Sequence, residues 1–332
     1  VKAATIPAIL YFLGIWLGVH FEARRSNLKG VPRSELPKPW EILKERGHLA
    51  IPLIVIIYLL VSGFTPMRAA LWAIVLAIAA SSLRKSTRMK PVEIVRGLEN
   101  GARNVLGVLV ACASAGIIIG VVTKTGVGLK LASALLDLSG GMLLPTMFFT
   151  MITSIILGMG VPTTANYVIT STIAAPALVQ MGVPVLAAHM FVFYFGIIAD
   201  VTPPVALAAF AGSAISGGKP LKTGINASKL AIAAFIIPYI FVLSPVVLMI
   251  DATPISLITV LVTSIIGMIG LSASMIGCLV KPLNGLERVI LFVGGLLMIQ
   301  PGLVTDLVGF LLLASVLFFQ QRRSKAEASS LG

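Results

Sequence analysis

The amino-acid sequence predicts an all-α polytopic membrane protein, and three observations support this fold class. First, 58% of its 332 residues are hydrophobic and only 11% are charged, whereas about a quarter of an ordinary soluble domain is charged. Second, several apolar runs reach the roughly 20 residues that a helix needs to cross a membrane. Third, runs such as IPLIVIIYLLVSG (51–63) are continuous, which excludes the alternating strands of a membrane β-barrel.

The charges and cysteines fit the same class. The formal net charge is +13, but the basic residues fall between the apolar runs, where the positive-inside rule predicts them, so nucleic-acid binding is not expected. Cys112 and Cys278 lie in apolar segments far apart in sequence and predict neither a disulfide framework nor a metal cluster. The chain enters an apolar segment directly after Val1 without a signal-peptide pattern, and we expect it to be the C-terminal part of a longer protein.

Residues 1–104 are expected to form linking and scaffold helices with a cytoplasmic amphipathic segment. The pattern predicts helices over 3–21, 49–64 and 67–83. A polar loop, 22–48, contains the basic residues Arg24, Arg25, Lys29, Arg33, Lys38, Lys44 and Arg46. A second basic stretch, 84–104, predicts a short amphipathic helix at the membrane interface, followed by a separate helix over 105–122.

The region 105–250 differs because its apolar runs are short and interrupted. After a segment that could lie flat on the membrane (LKLASALLDLSGG, 129–141), the pattern predicts helical pieces over 141–157, 166–179, 185–199 and 204–216, then a long helix over 227–249. The third region, 251–332, is a C-terminal helical extension. It is predicted to contain helices over 255–280, 289–300 and 303–319 and a basic tail.

Charge predicts the topology. The basic loops and the tail Arg322-Arg323-Lys325 all face one side, the cytoplasm, if 185–216 crosses the membrane once. Two crossings there would place Lys219, Lys222 and Lys229 outside. A hairpin and a pair of spans both return the chain to the same side, so the prediction of a re-entrant hairpin over 141–179 depends on its polar break. The C-terminus is therefore expected in the cytoplasm.

The polar break GMGVPTTANY (158–167) lies between two apolar runs. Irregular backbone at membrane depth is tolerated only inside protein or beside a water-filled cavity. Gly158 and Gly160 allow unusual torsions and Pro162 lacks an N–H. Thr163 or Thr164 is expected to cap a helix that begins near Asn166.

A second break, DVTPP, follows at residues 200–204. Thr202 is expected at the N-cap of the next half-helix, with Pro203 and Pro204 at its first positions. Asp200 is the only acidic residue between Asp137 and Asp251, and an ionisable group inside a membrane is a functional hypothesis by default.

The two breaks together predict one binding site for an ion and an anion. Half-helix N-termini attract an anionic group, and hard oxygen ligands suit sodium or a proton. The predicted substrate- and ion-binding residues are Gly158, Gly160, Pro162, Thr163, Thr164, Asn166, Asp200, Thr202, Pro203 and Pro204, with a sodium site at Gly158, Thr163, Asp200 and Thr202. No catalytic residue and no other cofactor are predicted.

Structural interpretations of the same residues remain open. Asp200 could cap a helix or pair with a lysine such as Lys219, and a single Pro-Thr kink is often only structural. His189 lies three turns from Asp200 and is interpreted as an interface or packing residue, and Phe191, Phe193 and Phe195 are interpreted as packing or lipid-contacting residues. A channel-like or purely structural membrane subunit is the alternative function. An intramembrane hydrolase is disfavoured, because Asp200 has no second acid and His189 no motif-bound serine.

Three motifs occur in an order that resembles a known family. They are the tip GMGVPT (158–163), the turn PALVQMGVP (176–184) and the break TPPVAL (202–207). The sequence resembles the C-terminal half of the large membrane subunit of tripartite ATP-independent periplasmic (TRAP) transporters, and most closely the fused permeases of the TAXI branch. The opening IPAILYFLGIWLGVHFEARRSNLKGVPRSELP (6–37) also resembles the segment that links the two halves of those permeases.

The resemblance implies an elevator-type secondary transporter built from two inverted repeats, each with a re-entrant hairpin and a broken helix. A periplasmic binding protein would deliver an organic anion and sodium would drive import. Residues 105–250 then correspond to the second transport repeat, with its hairpin at 141–179 and its broken helix at 185–216. The resemblance places the first repeat upstream, so that this sequence holds half of the site and is not expected to transport alone. Residues 281–320 resemble a C-terminal extension of fused permeases.

Overall fold

The computed structural model describes residues 2–28, 30, 32, 35, 36 and 38–329, and these residues are predominantly helical without a β-strand. Lys29 and Arg33 of the predicted basic loop lie outside the described residues, as do the side chains of Cys112 and Lys325. Cys278 is a buried free thiol.

The α-helices of the described residues follow one another in a simple order, with 3-10 turns at Gly47–Ala50, Ala199–Val201 and Pro245–Leu248. The helices are α1 (Lys2–Arg25), α2 (Pro39–Arg46), α3 (Ile51–Val61), α4 (Pro66–Ser82), α5 (Pro91–Thr125), α6 (Val127–Leu138), α7 (Leu143–Gly158), α8 (Thr163–Ile173), α9 (Ala175–Gln180), α10 (Val185–Ile198), α11 (Leu207–Ser216), α12 (Pro220–Leu230), α13 (Ile232–Leu243), α14 (Pro254–Ile276), α15 (Gly285–Leu297) and α16 (Leu303–Ser329).

Several helical segments are long and apolar enough to cross a membrane. By length and composition they are Lys2–Arg25, Pro220–Leu243, Pro254–Ile276 and Leu303–Arg323. A further pair, Gly116–Val122 and Val127–Leu138, is bent by 71°. These helices confirm the predicted class of an all-α polytopic membrane protein.

Internal contacts divide the chain into two compact units, Val1–Lys2 with Lys29–Leu109, and Ala3–Leu28 with Val110–Gly332. In the first unit α3 and α4 pack as a hairpin. Two hydrogen bonds support it, between His48 Nε2 and Thr87 Oγ1 (3.0 Å) and from Arg84 Nη1 to the Glu45 carbonyl (2.8 Å).

The core of the second unit surrounds α10, which packs against α7, α8 and α13. Phe191 and Phe195 of α10 are fully buried, and their rings lie 5.5 and 6.0 Å from that of Tyr239 on α13. Because such edge-to-face contacts add to the burial of large aromatic rings, α10 is held firmly to α13. The prediction that these phenylalanines pack is confirmed.

Helices α14, α15 and α16 form a closely packed C-terminal group. A Cβ atom added to Gly295 of α15 would lie 2.8 Å from the Gly267 carbonyl of α14, and one added to Gly267 would lie 2.9 Å from the Gly295 carbonyl. Further along, Ser274 Oγ donates a hydrogen bond to the Arg288 carbonyl (2.7 Å). Glycine therefore allows α15 to run antiparallel along α14 at backbone distance.

Three predicted element boundaries are wrong. The amphipathic segment and the following helix form one continuous helix, α5, because Pro91 can start a helix but no proline interrupts it before Thr125. The predicted loop 22–48 contains the end of α1 and all of α2. The predicted helix 227–249 is instead two successive helices, α12 (Pro220–Leu230) and α13 (Ile232–Leu243), ahead of a 3-10 turn that starts with Pro245.

Candidate functional site

The candidate site begins with a polar stripe on the buried face of α7. Thr146, Thr150, Ser154 and Gly158 recur every fourth residue, the spacing of one helix face, and all are buried. The Thr146 hydroxyl donates to the Met142 carbonyl, just before α7, and the Ser154 hydroxyl donates to the Thr150 carbonyl. Thr150 Oγ1 is buried without a partner. The stripe leads to the tip and was not recognised from the sequence, although its four-residue period was visible there.

At the end of this stripe, α7, α8 and α10 meet through two glycines and one asparagine. A Cβ atom added to Gly158 would lie 2.6 Å from the Gly196 carbonyl, and one added to Gly196 would lie 2.5 Å from Asn166 Oδ1. Asn166 is only 3% exposed, and its Oδ1 atom has no hydrogen-bond partner. The tip thus contains a buried amide oxygen that accepts no hydrogen bond, at the point where α7, α8 and α10 meet.

The backbone of the tip follows from its residue types. Gly160 has a φ of +71°, a conformation that other residues rarely adopt. Pro162 precedes α8, which begins at Thr163 and has no side-chain cap. The first main-chain bond runs from the Asn166 N–H to the Pro162 carbonyl (2.9 Å). The N–H groups of residues 163–165 therefore have no partner within the helix.

This geometry corrects two expectations about the tip. The helix begins at Thr163 and not near Asn166, and neither Thr163 nor Thr164 caps it. Both threonines are instead exposed in the first turn. Because Pro162 already fixes the entry into the helix, a threonine at the N-cap is not needed.

The second break also differs from its prediction. Thr202 Oγ1 donates to the carbonyl of Ile198, the last residue of α10 (2.7 Å), and does not cap α11; short hydroxyls compete for main-chain groups in this way. Pro203 and Pro204, joined by a cis peptide bond, precede a left-handed Ala206 (φ +36°). Helix α11 begins only at Leu207, so the prolines do not occupy its first positions.

The structure brings parts of the two breaks together. Helix α7 contacts the 3-10 turn that contains Asp200. Asp200 lies four residues after Gly196, which is about 6 Å along a helix axis, so it follows the contact with Asn166 by one turn. In the described part of the chain, no ion pair joins Asp200 to Lys219 or to another lysine.

Thr202 and Pro203 have different surroundings. They line a cavity of about 350 Å³ together with Ser228 and Lys229 of α12, and no residue of the tip lines this cavity. Ser228 Oγ donates to the Val201 carbonyl (2.9 Å), which fastens α12 to the break.

His189 is a packing residue, as expected. Its Nδ1 atom lies 3.0 Å from the Tyr167 hydroxyl, and the two rings are in edge contact with centroids 6.1 Å apart. This contact between the two side chains joins α8 to α10, three helical turns from Asp200.

The residues that could hold an ion are oxygen donors. Among the described residues, no group of three or more histidine, cysteine or acidic side chains could hold a metal ion. The buried Asn166 Oδ1, the Asp200 carboxylate and the threonine hydroxyls are hard oxygen ligands, which suit hard cations and not the metals that prefer sulfur or imidazole. Gly196, which forms the contact with Asn166, was missed from the sequence because one glycine in an apolar helix gives no local signal.

Comparison with known proteins gives one family. The model of the family described as "Tripartite ATP-independent periplasmic transporter, DctM component" matches residues 1–256 of the chain. Searches of curated proteins and of solved structures give no match. The matched residues include both breaks and all helices from α1 to α13.

Proposed function

Because the chain belongs to the DctM family of tripartite ATP-independent periplasmic transporters, we propose that it is part of a sodium-coupled importer of small organic anions. This family consists of membrane permeases and not of enzymes, and its members work with a periplasmic binding protein and a small DctQ component. The proposal adds the coupling ion, the substrate class and an elevator-type movement. The observation that carries it is the buried, unpartnered oxygen of Asn166 beside the Asp200 turn.

Sodium would be held at the tip and the turn after α10. The proposed ligands are Gly158, Thr163, Asp200 and Thr202, to which the structure adds Asn166. A buried amide oxygen without a donor is costly, and a bound cation would remove that cost. Thr202 is expected to contribute least, because it lines the cavity of about 350 Å³, to which no residue of the tip contributes.

The organic anion would bind at the start of α8. Its first turn offers main-chain N–H groups without a helical partner and the positive end of a helix dipole, which together favour a carboxylate. Thr163 and Thr164 are exposed there and can donate hydroxyl protons. Gly160 and Pro162 set the path of the chain into this helix start, whereas Pro203 and Pro204 shape the second break.

The remaining parts of the proposal rest on the resemblance to TRAP permeases. The chain would lie in a bacterial inner membrane in contact with lipid, with a cytoplasmic C-terminus. An upstream repeat of the same protein would complete the site, and a periplasmic binding protein would deliver the substrate. The resemblance to the TAXI branch of fused permeases belongs to this proposal as well.

The proposal is tested by sodium-dependent uptake in the complete transporter, reconstituted with its binding protein. Asp200→Asn and Thr163→Ala are expected to reduce uptake about tenfold or more, the effect of losing a ligand worth about 1.4 kcal/mol, while membrane expression is unchanged. Asp251→Asn is the matched control, because Asp251 is exposed in the loop before α14.

Unchanged uptake in both variants would remove these residues from the site. Passive flux without a sodium gradient and without the binding protein would identify a channel and contradict the importer.

A further inference from the structure

A cavity of about 300 Å³ lies between the first half of α14 and the turn that joins α15 to α16. Ser256, Thr259 and Thr263 of α14 line one side, and Asp306 in the first turn of α16 lines the other. None of its lining residues is basic. Apart from Ser256, every lining residue lies beyond the part of the chain that the family model matches.

The cavity lies between two helices that are long and apolar enough to cross a membrane. Thr259 and Thr263 are five and nine residues after the start of α14 at Pro254, which is about 8 and 14 Å along the helix axis. Because α15 runs back along α14 with Gly295 against Gly267, the turn after α15 ends beside this part of α14. An acidic side chain is therefore placed within the length of a helix that can cross a membrane.

The side-chain hydrogen bonds of this cavity leave several oxygen acceptors available. Thr259 Oγ1 donates to the Ile255 carbonyl (3.0 Å) and Thr263 Oγ1 to the Val260 carbonyl (3.2 Å), so both hydroxyl oxygens keep lone pairs for another ligand. Asp306 Oδ1 is buried without a partner. The Asp306 N–H donates to the Gly302 carbonyl (2.9 Å) and does not satisfy the carboxylate.

The turn itself is fixed, so that the carboxylate is held in place. Thr305 Oγ1 donates to the carbonyls of Gln300 (2.9 Å) and Gly302 (2.7 Å), on either side of Pro301. These two hydrogen bonds stabilise the loop before Asp306, so the Asp306 carboxylate is held near the hydroxyls of α14.

We propose that this cavity is a second sodium site, formed by Asp306, Thr259 and Thr263. The start of α16 supplies about half a positive elementary charge, which leaves the carboxylate only partly compensated, and an uncompensated charge within a membrane-spanning helix is costly. A monovalent ion fits better than calcium, which takes six to eight oxygen ligands, usually with several carboxylates. The volume exceeds that of several waters, at about 30 Å³ each, so the ion can keep part of its hydration.

The test uses the full chain with a local probe, so that the site between the two breaks does not contribute. A cysteine is placed at the exposed Val304 (72% exposed) in a chain with Cys112→Ala and Cys278→Ala, and it is labelled with an environment-sensitive fluorophore. Sodium chloride then replaces choline chloride at constant ionic strength. We expect a saturable change in fluorescence that Asp306→Asn abolishes and that Thr263→Val shifts to higher sodium. Asp200→Asn is the control and should leave the response intact.

Three outcomes overturn this site. They are a sodium response that persists in folded Asp306→Asn, a response that follows pH but not sodium, and loss of the response in Asp200→Asn. Thermal unfolding without sodium shows whether each variant is folded. If Asp306→Asn is unfolded, an unchanged response in the isosteric Thr263→Val contradicts the proposal equally well. The importer proposal can fail in its uptake assay without affecting any of these results.

Discussion

The tip between α7 and α8 and the break between α10 and α11 contain similar residue types but have opposite surroundings. At the tip, Gly158 and Gly196 bring two helices to backbone distance and enclose the Asn166 side chain. At the break, Thr202 and Pro203 face a cavity of about 350 Å³. Glycine and proline therefore indicate an interruption of a helix, but they do not tell whether it will be closely packed or open.

The largest effect is expected from adding one methyl group at the tip. In Gly158→Ala the new Cβ would lie 2.6 Å from the Gly196 carbonyl oxygen and 2.9 Å from the Gly196 Cα atom, so α7 or α10 has to shift. Overpacking of this kind costs about 1–3 kcal/mol. We expect a lower unfolding temperature in detergent and loss of uptake by the complete transporter.

Gly212→Ala on α11 is the matched control, because an added Cβ there meets no atom within 4 Å. It should be neutral or stabilising, by up to about 1 kcal/mol. Equal stability of the two variants would show that the tip is not closely packed.

A smaller change in stability, with a larger change in function, is expected from Asn166→Ala. The Oδ1 atom has no partner to lose, so the free energy of unfolding should fall by only about 1 kcal/mol or less. Sodium-dependent uptake should fall about tenfold or more, since the buried ligand is gone.

Asn226→Ala is the control for this variant, because Asn226 is exposed on α12 and should affect neither quantity. An Asn166→Ala variant that unfolds readily but keeps its sodium dependence would mean that the asparagine only packs the tip.

The smallest effect is expected at the open break. Thr202→Val keeps the shape of the side chain but removes the hydrogen bond to the Ile198 carbonyl (2.7 Å), at a cost of about 1 kcal/mol. Uptake should be partly retained, because the cavity beside Thr202 has room for small adjustments. A loss of uptake as large as that of Asn166→Ala would show that the two interruptions are equally constrained.

The interruptions and the fold class were predictable because their signals are local. Two glycines, a proline and two threonines inside GMGVPTTANY stand out against apolar neighbours, as does Asp200 in its own segment. The contact of Gly196 with Gly158 was not predictable in this way, since it joins residues 38 positions apart that lie on different helices.

The errors in detail have a physical cause as well. A threonine hydroxyl can cap the following helix or bond back to the preceding turn, and the sequence around Thr202 does not distinguish these choices. Similarly, the change from charged to apolar residues within 91–125 predicts the end of a helix. Helix α5 continues through this change, because glutamate, arginine, leucine and alanine all favour helix.

The aromatic contacts of α10 limit how Asp200 can move. Phe191 and Phe195, on the same helix as Gly196, are fully buried and contact Tyr239 of α13. Gly158 and Asn166 tie α7 and α8 to that helix at the level of Gly196. A displacement of Asp200 must therefore carry four helices with it or break a buried aromatic interface. If the proposed elevator-type movement takes place, α7, α8, α10 and α13 are expected to move together.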